Sequence, residues 1–144
     1  MNKIKDFIID WIWQLPQNLC GLVYKSISRN NRITIVENDD SRSVGAEVLL
    51  QRTKGGVTLG KYIFICQDYT DKYKVIKHEC GHVRQSKLLG PLYLLIIGIP
   101  SILHAWLNGY LNCCANHGTY YHFYPERWAN KLMGIDTFGN PIEK

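Results

Sequence analysis

His78, Glu79 and His82 lie in the run HECGH, which has the spacing H-E-x-x-H. On a helix, residues four apart project from one face, so both imidazoles can point at a single cation. Glu79 stands beside them and can reach a water on that cation without ligating the cation itself. Borderline-soft zinc suits two imidazoles and a carboxylate, with a fourth position left open for water. Such an ion lowers the pKa of the water towards ~7 and polarises a carbonyl. Glu79 would take the water proton and pass it to a leaving amine. The expectation is a zinc-dependent hydrolase, with peptide-bond hydrolysis as its reaction. Two readings from other classes use the same residues. One is a metal-stabilised binding or partner protein without turnover; the other is a helix with two ordinary surface histidines.

A third ligand has to come from elsewhere, and Glu126 in PERWAN (residues 125–130) is the choice. Pro125 suits the first turn of a helix, so Glu126 faces the same way as Ala129 and Asn130 one turn on. It is the only acidic residue between Glu79 and Asp136. The helix dipole alone would also favour an acidic residue there. His117, His122, Cys113 and Cys114 compete with it, and CCANH can either hold an ion or bury its adjacent thiols. Gln85, just beyond the histidines, is either a partner for a ligand or substrate, or an exposed polar residue. Tyr120, Tyr121, Tyr124 and His122 qualify by type as oxyanion donors, although aromatic packing is the commoner fate. Cys80 reads as a small core residue, and His104 as a buried, satisfied histidine.

These side chains need particular elements to carry them. Asp71 can cap a helix over residues 72–88, ended by Gly90-Pro91. Before it, residues 32–37 (RITIVE) alternate as a strand, and Asn38 to Ser43 read as a polar turn. Residues 46–51 (AEVLLQ) and 57–66 (VTLGKYIFIC) are further strands. Residues 61–66 lead straight into the helix, where an edge strand would align an extended peptide. Residues 3–14 carry apolar positions at helical spacing, and Pro16 opens a second short helical candidate. Trp11, Trp13 and Tyr24 suit either a membrane interface or packing on the core. Helices follow over 92–107 and 125–133. Strands first and helices afterwards give an α+β domain: a small antiparallel or mixed sheet, then the active-site helix and further helices. At 144 residues the expected organisation is one domain, with a helical segment at 1–30 and the core at 32–134.

The net charge of +5 comes from basic residues scattered from Lys3 to Lys144, which argues against nucleic acid as a partner. Five cysteines, odd in number and without framework spacing, argue against a disulfide-linked partner and for a reducing compartment. Asp6 and Asp10 interrupt the first apolar stretch before it can serve as a secretory signal, so the expected location is cytoplasmic. Between Lys87 and Glu126 the chain has no Asp, Glu, Lys or Arg. Residues 88–107 are long enough to span a bilayer, but the polar residues after them make a poor return span. If His82 and Glu126 share a metal, both ends of this stretch lie on one side. A re-entrant or interfacial segment remains, or a buried core helix, and Pro100 argues against a straight span. The expected partners are therefore a peptide or protein substrate and a membrane surface, met through residues 88–107 and the N-terminal helix.

HECGH followed by ERWAN resembles the gluzincin metallopeptidases, with H-E-x-x-H on one helix and a glutamate ligand on a later one. It is similar to the H-E-x-x-H … E-x-x-A-D pattern of membrane-bound endopeptidases, among them the C-a-a-X prenyl protein proteases and the heat-shock-induced membrane proteases of bacteria. The strings HECGHVRQSKLLGPLYL and YYHFYPERWAN also resemble a small bacterial HExxH…ExxAN family. The resemblance implies a minimal zincin-like domain, zinc on His78, His82 and Glu126, and Glu79 as general base. The family aspartate falls at Asn130, a departure; that carboxylate would orient a ligating histidine, and an amide oxygen polarises it less. The likeness covers residues 57–134 and leaves the N-terminal helices aside.

Overall fold

A computed structural model describes residues 3–28, 32–52, 55–111, 122–136 and 140–142. Four strands form one mixed sheet: β1 (Arg32–Val36), β2 (Glu47–Gln51), β3 (Gly56–Leu59) and β4 (Tyr62–Cys66), in the order β1-β2-β4-β3. β1 is antiparallel to β2, β2 parallel to β4, and β3 antiparallel to β4. Alternation along the strands sends Val48, Ile63 and Ile65 to one face and Leu49, Tyr62 and Phe64 to the other. β4 lies between two strands and under helices on both faces, so it is buried at every residue and its sequence shows no polar alternation. The α+β class expected from the sequence is the one observed.

The helices are α1 (Lys3–Ile8), extended by a π-helical turn (Ile9–Trp13), α2 (Leu15–Ile27), α3 (Asp39–Val44), α4 (Lys72–Leu89), α5 (Ile99–Leu111) and α6 (Tyr124–Met133). The Asp71 side chain caps α4 by accepting from the Lys74 N–H. Ile76, Cys80 and Val83 of α4 then pack on Val48, Ile63 and Ile65, with Met133 of α6 beside them. Burying each such aliphatic side chain contributes roughly 1.5–3 kcal/mol, which gives α4 a single seat on the sheet. α2 covers the opposite face, where Tyr24 meets Phe64 edge-on at 4.7 Å.

Three local expectations are corrected. Residues 57–66 form a hairpin, β3 and β4, rather than one strand. Gly60 turns the chain at φ 64, and the Lys61 N–H donates to Asn18 Oδ1 at 2.7 Å, so α2 clamps the turn. In consequence residues 61–66 are central, and β3 takes the edge. Asn38 to Ser43 open α3 instead of a turn, because Asn38 and Ser41 cap each other reciprocally.

The far end of α4 is fastened by the N-terminal helices. Trp13 Nε1 donates to Lys87 O at 2.9 Å, and Gln17 Nε2 donates to Ser86 Oγ at 3.1 Å and Gly90 O at 2.9 Å. Gly90 adopts φ 55, with the Trp13 indole where a Cβ would stand. Beyond it the chain turns: the helical stretch 94–107 is bent by 119° from the stretch 72–92. Among the described residues no single helix is long and apolar enough to cross a membrane, although this bent pair passes by length and composition.

Candidate metal centre

His78 and His82 project from one side of α4, their rings 5.0 Å apart and almost perpendicular. Glu126, in the first turn of α6 behind Pro125, reaches both: Oε2 lies 3.0 Å from His78 Nε2 and 3.2 Å from His82 Nε2. α6 approaches this closely because Gly81 has no side chain; a Cβ there would fall 2.3 Å from Ala129 O. The three donor atoms lie within 4.8 Å of one another, and the group could hold a metal ion. A tetrahedral site with ligand bonds near 2.0–2.1 Å has donor–donor edges of roughly 3.3 Å. The two histidine–glutamate separations fit that cage.

The outer ring nitrogens are held as ligation requires. Gln85 Nε2 donates to Pro125 O at 2.7 Å, which turns the oxygen of the same amide to His82 Nδ1 at 2.8 Å. An amide oxygen only accepts, so Nδ1 carries a proton and Nε2 faces the shared point. His78 Nδ1 meets Asn130 Oδ1 at 2.6 Å in the same manner. Ser101 Oγ, on α5, donates to Glu126 Oε1 and leaves Oε2 to the histidines. Burial opposes charge on His82, but the hydrogen bond and charge of Glu126 outweigh it and push the pKa up to about 9. Burial likewise opposes charge on Glu126, yet hydrogen bonds from both histidines hold its carboxyl well below the usual range. A proton thus does in part what a cation would do.

Glu79 is buried next to this group, and its Oε2 accepts from Thr58 Oγ1 at 2.5 Å. A cavity of about 200 Å³ opens here, lined among others by Thr58, Leu59, Glu79, His82, Tyr93 and Ile99. Tyr93 is buried and its hydroxyl donates to Thr58 O at 3.4 Å. Burial, with the charges of Glu79 and Glu126, holds that phenol well above its ordinary range, so it is an O–H donor. Burial also pushes the Cys80 thiol up to about 12, in keeping with a core residue.

Sequence reasoning named His78, Glu79, His82, Gln85, Glu126 and Asn130, and the fold brings them together. His122 is exposed and outside the group. His104 is half-buried and stacked on Phe123 at 4.2 Å, not enclosed in the core as expected, because α5 lies at the surface. The Tyr124 hydroxyl donates to Ile96 O instead of lining the cavity. Cys113, Cys114, His117, Tyr120 and Tyr121 lie outside the described residues. Thr58, Tyr93 and Ser101 were missed, although a hydroxyl in so apolar a run as 88–107 is itself a signal for the last two. Neither a family model, nor a curated protein, nor a solved structure matches the chain.

Proposed function

We propose that the protein is a zinc-dependent hydrolase of peptide bonds that works beside a membrane surface. The observation that carries the reading is the convergence of His78, His82 and Glu126 on one point, with Glu79 next to them. Zinc, when bound, supplies the Lewis acidity that activates a water and polarises a carbonyl. Glu79 takes a proton from the attacking water, whose oxygen bonds to the scissile carbonyl carbon. It returns that proton to the leaving nitrogen as the C–N bond breaks. Gln85 and Asn130 orient the two imidazoles, and Ser101 orients Glu126. Tyr93 is neutral at the cavity wall, and its O–H, which meets the Thr58 carbonyl at 3.4 Å, can turn to a developing oxyanion. The outer edge of β3 pairs with no strand among the described residues, and an extended peptide can add to it by main-chain hydrogen bonds.

The membrane part of the reading is supported by apolar side chains facing outward. Leu95 and Trp106 of the bent segment are 64% and 63% exposed, and Ile12 and Phe7 of the N-terminal helix 66% and 61%. Free thiols at Cys20, Cys66 and Cys80 support a reducing, cytoplasmic setting. The direct test is Glu79→Gln assayed on a fluorogenic peptide mixture. The variant should keep about one zinc per chain and lose about 10²–10⁴-fold in turnover. Hydrolysis at the wild-type rate would reject the mechanism.

A further inference from the structure

Glu79 is held from the sheet as well as from its own helix. Thr58 Oγ1 donates to Glu79 Oε2 at 2.5 Å and lies 3.4 Å from the Glu79 carbonyl oxygen. Two residues back, on the same face of β3, Gly56 stands against the other carboxylate oxygen: a Cβ there would fall 2.7 Å from Glu79 Oε1. Gly56 is not among the residues with positive φ, so what glycine supplies is space. Thr58 therefore fixes one carboxylate oxygen, and the missing side chain of Gly56 leaves room for the other.

We infer that Thr58 and Gly56 are positioning residues that aim Glu79 Oε1 at the attacking water, an inference that rests on Glu79 being the base. A free glutamate next to two ligating histidines has several rotamers, and in some of them it would ligate the metal itself or turn away. The Thr58 hydroxyl removes that freedom by occupying Oε2. The bare Cα of Gly56 leaves Oε1 room to stay where the chemistry needs it. β3 is also the edge on which a peptide would add, so base and substrate backbone take their register from one strand.

Three variants test this on the full chain, with a fluorogenic peptide mixture as the probe. Thr58→Val keeps the shape and removes the hydroxyl; kcat should fall about 10–100-fold, with KM within about twofold. Thr58→Ser keeps the hydroxyl and should restore kcat to within about threefold of wild type. Gly56→Ala should lower kcat as Thr58→Val does, because the added methyl displaces Glu79 Oε1. Zinc stoichiometry should be unchanged in all three. A readout independent of turnover is the urea midpoint. Thr58→Val should lower it in the wild-type background and by a smaller amount in a Glu79→Met background, where the hydroxyl keeps the residue-79 carbonyl but has lost its carboxylate. Equal shifts in both backgrounds, or Thr58→Ser as slow as Thr58→Val, would overturn the inference alone. A zinc-loaded wild-type protein without turnover would overturn the hydrolase reading and take this inference with it.

Discussion

At the scale of single residues, one lone pair of His82 is open to either a proton or a cation. His82 Nδ1 is committed to Gln85, so only Nε2 can exchange one for the other. Its pKa of about 9 lies above the 6.5 of a free histidine. In the metal-free protein the protonated pair with Glu126 therefore stabilises the fold fully below about 6.5, and that contribution is lost as pH rises through about 9. Metal binding runs the other way. Zinc affinity should climb about tenfold per pH unit towards pH 9, as read by competition with a chromophoric chelator; a flat profile from pH 6 to 9 would contradict the proton count. The three converging side chains were legible because a four-residue spacing fixes a helix face, and because Glu126 is the only acidic residue between Glu79 and Asp136. Thr58 was not, since its role depends on strand register. No local pattern announces that β3 lies under Glu79.

At the scale of elements, the helix carrying HECGH is fastened at both ends. Asp71 caps its start, and Gln17 and Trp13 hold its last turn. Gln17→Leu would strip the buried Ser86 hydroxyl and the Gly90 carbonyl of a donor. The expected cost is about 1–3 kcal/mol, seen as a lower thermal midpoint with zinc stoichiometry kept; an unchanged midpoint would show that the N-terminal helices do not anchor α4. The sequence showed these helices through their apolar spacing but not the buried face that Gln14, Gln17 and Asn18 present. Polar residues pointing inward run against hydrophobic periodicity, and the groups they bond explain them: the Ser86 hydroxyl for Gln14 and Gln17, and backbone groups at Gly90, Asp10 and Lys61 for Gln17 and Asn18. The hairpin at Gly60 was hidden for a related reason, because the residue that clamps it, Asn18, is remote in the chain.

At the scale of the whole molecule, the order of strands and helices made the α+β class readable. Gly90-Pro91 marked where α4 ends, although not the 119° turn that follows. That turn brings Ser101 back to Glu126 and exposes Leu95, Ile102 and Trp106 outward. Vesicles containing anionic lipid should bind the protein and shift its tryptophan emission to the blue, given how exposed Trp13 and Trp106 are. Emission unchanged by vesicles would remove the membrane from the account and leave the metal site untouched. The most direct test of the centre itself is anomalous diffraction at the zinc edge from crystals of the zinc-loaded protein. A peak should lie about 2.0–2.2 Å from His78 Nε2, His82 Nε2 and Glu126 Oε2 together. Zinc bound elsewhere, with no peak among those three atoms, would contradict it.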